Sequence, residues 1–216
     1  MAQRKPRRKP GLQLGEEVAR NMIVAGAARV FASKGFRAAS VEDLLDAAKV
    51  SRRTFYRLFD SKDAVALALY NFGTRGLVES WQRAIASSTD PIEQFARCID
   101  VHLKNAATVG RLVFVLGGEA SRQESPLHAR RMEVHDLLVG MLRDAHPDTA
   151  RLDPLLVRTS IFALEAITRL VLTEGDEGRK VSPASIERAR RVMVRMVSAG
   201  VAGSGPGVTP LPLDDG

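Results

Sequence analysis

Apolar residues recur along this chain about every three to four residues, the spacing of one face of an α-helix. The pattern predicts helices over about residues 16–34, 41–49, 52–60, 62–85, 92–107, 134–142, 154–174 and 183–199. Strand-like alternation is almost absent, and the short apolar run LVFVLGG at 112–118 fits either a strand or a buried helix. We therefore predict an all-α fold.

Three serines stand at the starts of consecutive helices near the amino terminus. Ser40 has Asp43 three residues later, as in a capping box with Asp in place of the usual Glu. Ser51 and Ser61 stand in the same N-cap position before the next two helices. Residues 40–60 thus read as helix, short turn and helix behind a first helix, which is the plan of a helix-turn-helix unit.

The second helix of this unit lies within SRRTFYRLFDSK, residues 51–62, and its side chains fall on two arcs. At roughly 100° per residue, one arc holds Arg52, Arg53, Tyr56 and Arg57. The other arc holds Phe55, Leu58 and Phe59, with Thr54 at the boundary. A solvated helix face usually mixes both signs of charge, whereas this one is only cationic. The arrangement favours contact with a polyanion.

The distribution of charge supports the same interpretation. The net charge is +7, and residues 1–62 hold fourteen Lys or Arg against six Asp or Glu. Residues 63–216 hold eighteen against nineteen. A basic amino-terminal third on a neutral body predicts a dedicated phosphate-binding module rather than general solubility.

Several other classes of protein find little support in the sequence. Cys98 is a single cysteine in an amphipathic run, so we expect a small buried apolar side chain and no disulfide. No apolar run is long enough to cross a membrane, and no secretory signal is evident, so we expect a cytoplasmic protein. No nucleophile elbow or phosphate loop is present, so we expect no enzyme and no cofactor. His128 and His135 share a helix face, but without further ligands we expect surface histidines rather than a metal site.

Several residues between 23 and 70 form a specific pattern. It consists of Ile23, Ala27, Ala28, Phe31, Gly35 and Phe36, followed by SVEDLLDAAKVS and RTFYRLFDSKDAV, with Tyr56, Phe59 and Lys62 at characteristic spacing. In this pattern, which covers about a quarter of the chain, the sequence resembles the TetR family of transcriptional regulators. The resemblance implies a three-helix DNA-binding domain followed by a larger helical bundle that dimerises and binds a ligand.

The resemblance also implies roles for individual residues. Arg52, Arg53 and Thr54 would face bases or adjacent phosphates, Tyr56 and Lys62 would bind phosphate, and Ser40 and Ser51 would cap helices that point at the DNA backbone. Arg57 would reach either bases or phosphate. Lys49 departs from the family, which usually has glycine there, and a lysine in the left-handed region costs about 1 kcal/mol. Its cation would also come within reach of phosphate.

The resemblance divides the chain into a basic arm at 1–11, a DNA-binding domain at 12–62, an effector and dimerisation domain at 63–202 and a tail at 203–216. We expect the arm and the tail to be disordered. The arm either follows the minor groove of DNA or only raises solubility and non-specific affinity. We expect Arg20 and Arg29 to be ordinary solvated surface, with Arg37 the candidate exception.

Polar and aromatic side chains within the apolar helices of the larger domain are candidates for ligand recognition. They are Trp81, His102, Arg111, Phe114, Glu119, Glu165 and Arg169. A buried charge must be paired or must serve a ligand. For each polar residue alone, an internal ion pair or a dimer contact remains the alternative, and for each aromatic residue the alternative is ordinary core.

The expected function is that of a homodimeric repressor on a palindromic operator in double-stranded DNA, released by a small apolar effector. Recognition helices about 34 Å apart would match two half-sites. The alternative is a helix-turn-helix protein with no small-molecule effector, either structural or controlled by a protein partner. A helical enzyme with a basic head is the more distant alternative.

Overall fold

The computed structural model describes residues 10–145, 152–174 and 181–201, and within these ranges it contains helices and connecting turns but no strand. The helices are α1 (Pro10–Lys34), α2 (Val41–Ala48), α3 (Arg52–Leu58), α4 (Lys62–Ala86), α5 (Pro91–Val109), α6 (Arg111–Ala120), α7 (His128–Asp144), α8 (Pro154–Glu174) and α9 (Pro183–Val201). The all-α prediction is confirmed, and the ambiguous run at 112–118 belongs to α6.

The start of α1 differs from the predicted start, and much of the predicted arm and tail lies outside the described residues. Helix α1 begins at Pro10, six residues before the predicted start at Glu16. Residues 10 and 11, which we had assigned to a disordered arm, therefore belong to α1. Residues 1–9 and the predicted tail at 203–216 lie outside the described residues.

The three predicted serine caps are all present. The amide of Asp43 donates to Ser40 Oγ at 3.1 Å and the Ser40 amide donates to Asp43 Oδ2 at 2.9 Å, which completes the capping box. Ser51 and Ser61 each accept a hydrogen bond from the amide three residues on, at 3.1 Å in both cases. Lys34 and the Ser40 groups hold the pKa of Asp43 at about 2, so this cap stays ionised.

The turn between α2 and α3 depends on a residue with positive φ. Lys49 follows α2 with φ of 55° and ψ of 40°, and its amide donates to Leu45 O. The left-handed conformation satisfies an end carbonyl of the helix but costs about 1 kcal/mol for a residue with a Cβ. The predicted left-handed lysine is confirmed.

Helices α1 to α3 enclose the first of two hydrophobic cores. Its buried members are Ile23, Ala27, Val30, Phe31, Phe36, Ala39, Leu44, Ala48, Phe55, Phe59, Val65, Ala66, Leu69, Leu116, Ala120 and Leu127. The list extends past residue 62 into α4 and includes residues of α6. The predicted boundary at 62–63 therefore falls inside a continuous core, although the division into domains stays a prediction.

Two arginines of α1 fasten the short helices to it. Arg20 donates to Leu58 O at 3.1 Å and Arg29 donates to Ala47 O at 2.8 Å. Each guanidinium thus satisfies a carbonyl at the carboxyl end of α3 or α2, where the helix dipole also favours a cation. Both residues are exposed, as expected, but the expectation missed these hydrogen bonds because the partners lie 38 and 18 residues along the chain.

The second core lies among α4, α5, α7, α8 and α9. Its larger members include Trp81, Phe95, Ile99, Leu103, Leu138, Leu142, Leu164 and Met193. Helix α4 contributes to both cores, Val65 and Leu69 to the first and Trp81 and Ile85 to the second. A displacement of α4 at the first core would therefore also change the packing of the second core.

Gly26 marks the closest approach between α1 and α2. A Cβ at this position would lie 3.0 Å from Ala48 N and 3.1 Å from Ala47 C, both backbone atoms. We expect Gly26→Ala to lower the free energy of unfolding by about 1–3 kcal/mol, because the two helices must separate. Urea unfolding measures this.

The matched control is Gly73→Ala, in the exposed middle of α4, where a Cβ meets nothing within 4 Å. It should raise the free energy of unfolding by up to about 1 kcal/mol, because alanine is the better helix former. A Gly26→Ala protein as stable as the Gly73→Ala protein would contradict the close packing of α1 on α2.

Candidate nucleic-acid interface and candidate ligand site

Helix α3 presents the two arcs that its sequence predicts. Phe55 is 0% exposed and Phe59, which follows the helix, is 4% exposed. Arg52, Arg53, Tyr56 and Arg57 are all exposed, and Thr54 is half-buried at the boundary. The aromatic arc anchors the helix, so the cationic arc must face outwards.

The arginines on the outer arc differ in what they contact. Arg52 is paired with Glu42 of α2, and Arg57 lies 3.8 Å from the carboxylate of Glu16 in α1. The Arg53 side chain makes no hydrogen bond or ion pair with another residue that the structure describes. Neighbouring helices therefore supply acidic side chains, which the wheel of a single helix does not show, and Arg53 is the most available of the three.

The smaller polar residues lie around the amino ends of α2 and α3. Ser51 Oγ and Thr54 Oγ1 are 2.9 Å apart, and Ser40 is bound in its capping box. Lys49 is exposed at the turn between the two helices. Their predicted DNA contacts stay predictions.

Lys62 is placed differently from its predicted role. Its Nζ donates to Phe36 O at 2.9 Å, to Ala39 O at 2.8 Å and to Arg37 O at 3.4 Å. An ammonium has three donors, and these carbonyls take all of them. The group also lies 4.7 Å from the centre of the Phe36 ring. Lys62 therefore closes the turn between α1 and α2, and the geometry argues against the predicted phosphate contact.

Two of the predicted ligand residues instead join α6 to α1 and the turn after it. Glu119 accepts from Arg37 Nε at 3.1 Å, and Arg111 Nε donates to Ala32 O at 2.5 Å. The pKa of Arg37 is raised because of this carboxylate. Arg37 is thus the exception we expected among the surface arginines, while Arg111 and Glu119 bridge the two halves of the molecule rather than line an interior site.

The other candidates of the larger domain are dispersed. Arg169 is exposed, packs over Gly118 and donates to Ser121 Oγ at 3.1 Å. Phe114 is half-buried on α6 and belongs to neither core. Trp81 is buried in the second core, and its Nε1 has no partner among the described residues. These three side chains therefore do not form one site.

Glu165 on α8 is the centre of a buried polar cluster. Arg131 Nε donates to Glu165 Oε2 at 3.0 Å, and His135 Nε2 lies 2.9 Å from Glu165 Oε1. Burial raises the pKa of Glu165, but hydrogen bonds and charge from His135 and Arg131 outweigh it and hold the value at about 2. The prediction of surface histidines was wrong for His135, which is 2% exposed, because its partner is thirty residues away on another helix.

The Phe162 ring packs against this cluster, and Glu165 also influences the pKa values of His102 and Tyr70. Burial lowers the pKa of His102 to about 4, against the attraction of Glu165, so this imidazole is neutral at pH 7. Burial also raises the pKa of Tyr70, with Glu165 adding to the effect. The Phe162 ring lies 4.8 Å from the His135 ring and 5.0 Å from the Arg131 guanidinium.

The interior of the larger domain is closely packed. One small cavity touches Trp81, Cys98, Ser160 and Leu164, and another lies between Leu103, Thr168 and Ile186; each has a volume of about 10 Å³. Such a volume holds about one water molecule, whereas ligand pockets are typically about 300–1,000 Å³. Burial raises the pKa of the Cys98 thiol to about 12, as expected of an inert side chain.

Within the described ranges, no three His, Cys, Asp or Glu side chains are grouped as metal ligands would be. None of the helices in those same ranges is long and apolar enough to cross a membrane.

Comparison with known proteins agrees with this geometry. Residues 23–69, which comprise about the second half of α1, all of α2 and α3 and the start of α4, match the model of the bacterial regulatory proteins of the tetR family. This part of the chain is a TetR-family domain. The match covers the capped helices and the cationic arc described above.

The chain is also similar to individual members of this family. It is 27% identical over 90 residues to the HTH-type transcriptional activator FasR of Mycolicibacterium smegmatis, which is 42% of this chain and 41% of that protein. The match therefore spans about two fifths of that relative's length.

Solved structures resemble the whole TetR-family fold of this chain. FadR of Bacillus halodurans, a fatty acid degradation regulator, superposes with a TM-score of 0.68 and 17% identity over 88% of this chain and 97% of that chain. FadR of Bacillus subtilis in complex with stearoyl-CoA gives a TM-score of 0.69 and 16% identity over 84% and 98%. At these identities the likeness shows the fold alone.

The contacts of Lys62 lead to a prediction that separates a structural role from phosphate binding. We expect Lys62→Met to lower the free energy of unfolding by about 1–3 kcal/mol, because three carbonyls lose a charged donor. The salt dependence of binding to random duplex DNA should keep its slope. Urea unfolding and fluorescence anisotropy in a salt series measure the two quantities.

Arg53→Met is the matched control, since Arg53 contacts no other described side chain. It should leave stability unchanged and lower the salt slope by about one if it meets a phosphate. A Lys62→Met protein of wild-type stability with a shallower slope would restore the phosphate contact.

Proposed function

We propose that the protein is a DNA-binding transcriptional regulator that acts as a dimer on a palindromic operator in the cytoplasm, and that it is a repressor released by a small apolar effector. The observation that supports this most is the outward cationic arc of α3 within a capped helix-turn-helix unit. The TetR-family match over the same residues supports it independently.

The proposed DNA contacts follow from the placement of α3. Arg52, Arg53 and Thr54 lie at its amino end and would reach base edges, where an arginine fork holds guanine. Tyr56 and Lys49 would bind phosphate, and Ser40 and Ser51 would present capped helix ends to the backbone. Arg57 would reach either. Entry into DNA would exchange the Glu42 and Glu16 contacts of Arg52 and Arg57 for phosphates or bases.

The proposed dimer uses an apolar face of α8 and α9 that one protomer leaves uncovered. Leu155 and Leu170 are 69% and 65% exposed on α8, and Thr159, Ala163 and Ala166 lie between them on the same side. This stripe carries no charge. Val192 and Met196, one turn apart on α9, are also exposed. A second copy of the chain across a two-fold axis would bury these side chains.

The proposed release depends on the contacts that join the two halves. Helix α6 contacts the first core through Leu116 and Ala120 and holds the end of α1 through Arg111 and Glu119. A ligand that binds more tightly to an alternative conformation of the larger domain would shift α4 and α6. This shift would change the distance between the two α3 helices of the dimer.

Two observations favour other forms of the function. The relative FasR is a transcriptional activator, so activation of transcription is the alternative to repression. The small cavities favour control by a protein partner or a structural role, because a ligand would have to create its own space. The stearoyl-CoA bound by the FadR of Bacillus subtilis supports the effector proposal here only as an analogy.

The test of the DNA proposal starts from selection of bound sequences from a random duplex library. We expect a palindrome to be recovered. Arg53→Ala should then weaken binding to that palindrome by about 1–3 kcal/mol and binding to random DNA by less, because a base contact is lost. Arg83→Ala, the same charge change at the far end of α4, is the control and should alter neither. Equal weakening on both kinds of DNA by Arg53→Ala would contradict base reading.

The dimer proposal is tested by a charge on the uncovered stripe. Leu170→Glu should give a folded monomer in sedimentation at micromolar concentration and should lose operator binding, because a carboxylate would be buried without a partner. Phe72→Glu changes an equally exposed side chain on α4, at 69% exposure, and should remain a dimer. A Leu170→Glu protein that stays dimeric would place the interface elsewhere.

A further inference from the structure

Buried side-chain atoms without partners are concentrated in the larger domain. Among the described residues they are Trp81 Nε1, Gln94 Oε1, His102 Nδ1, His135 Nδ1 and Arg143 Nε, on α4, α5 and α7. Each such atom costs about 1–3 kcal/mol, so a cluster of them calls for a reason.

The two imidazole nitrogens differ from the rest because they belong to one polar cluster. His135 lies on α7 against the carboxylate of Glu165, which Arg131 also binds. The Nδ1 of His102 on α5 is likewise buried without a partner, and both Glu165 and His135 influence the pKa of this imidazole. An interior ion pair between α7 and α8 would explain Arg131 and Glu165, but it leaves both Nδ1 atoms unexplained.

Hydrogen-bond chemistry limits what these nitrogens can accept. Ionised Glu165 has no proton to give, so the proton in its hydrogen bond with His135 is carried by Nε2. The buried Nδ1 of His135 then lacks a partner, and it needs a donor in the neutral ring or an acceptor in the imidazolium. His102 is neutral, and its Nδ1 either donates or accepts according to the tautomer. A hydroxyl group serves every case, because it donates one hydrogen bond and accepts others.

The charge in the cluster limits the ligand further. The guanidinium of Arg131 and the carboxylate of Glu165 already compensate each other, with Nη2 and Nε both directed at the carboxylate. Tyr70 adds no charge either, since burial raises the pKa of its phenol, with Glu165 adding to the effect. An additional carboxylate or ammonium would displace this pair or remain unpaired in a poorly solvated interior.

We propose that His102 together with the cluster of Arg131, His135 and Glu165 is the recognition site for the hydroxyl group of an uncharged, otherwise apolar effector. The proposal rests on the effector-responsive function proposed above and names the chemistry that the effector carries. Phe162, half-buried over His135 and Arg131, is the side chain that moves to admit the ligand. The apolar body then replaces contacts of the second core.

The experiment uses full-length dimer without DNA and three probes with the same ten-carbon chain: n-decanol, decanoate and decylamine. Isothermal titration below the micellar concentrations of the probes measures affinity and stoichiometry. We expect saturable binding of decanol at one site per protomer. We expect decanoate and decylamine to bind at least about tenfold more weakly, because their charge has no partner.

Variants distinguish decanol binding at the cluster from non-specific binding to the apolar core. His102→Leu should keep or raise thermal stability, because an unpaired polar atom is removed, yet lose at least about tenfold in decanol affinity. His128→Leu is the matched control, since the Nδ1 of His128 already contacts Ala120 O at 3.1 Å outside the cluster. It should keep wild-type decanol affinity. His102→Gln retains a hydrogen-bonding side chain and should recover part of the lost decanol affinity. This variant keeps the test decisive if the His102→Leu protein folds poorly.

Equal binding of the three probes, no saturable decanol binding, or a folded His102→Leu protein with wild-type decanol affinity would each overturn the proposal. The outcome is independent of the DNA assay. A protein that selects a palindrome but does not bind decanol refutes the ligand site alone. A protein that binds decanol as expected but selects no DNA sequence refutes the regulatory function and leaves the site standing.

Discussion

The burial of Phe55 and Phe59 is the constraint on which the proposed DNA-reading surface depends. A seven-residue helix is too short to be stable alone, so tertiary contacts decide both its existence and its orientation. The two rings join the core that contains Ile23 and Phe31, and Arg20 lies 4.7 Å from the Phe59 ring centre. Because the aromatic arc of α3 is buried in this core, the arginines on the opposite arc face the solvent.

Cations perform two different tasks in the amino-terminal part of the molecule. Arg20, Arg29 and Lys62 donate to backbone carbonyls at the ends and turns of the short helices, so they hold the unit together. Arg53 extends from the surface without a described partner, and Arg52 is paired only with an exposed acid of α2. Net positive charge therefore overstates the number of groups available to phosphate, because part of it is already used within the fold.

The two halves of the molecule are mechanically continuous. Helix α4 supplies side chains to both cores, and α6 is held to α1 and the turn after it through Arg111 and Glu119. The cluster around Glu165 joins α7 to α8 through Arg131 and His135. A change of packing at that cluster thus has a short path, through α6 and α4, to the helices that carry the arginine arc.

The sequence by itself determined what depends on neighbours a few residues apart. The helical period, the serine caps, the left-handed Lys49 and the two arcs of α3 all follow from contacts within one or two turns, and the structure confirms them. The tertiary structure alone decided the partners of Lys62, His135 and Arg37, which lie 26, 30 and 82 residues away. The physical reason is that a charged side chain pairs with a complementary group that is close in space. Contacts between distant helices do not change the hydrophobic periodicity of either helix, so the sequence pattern does not reveal them.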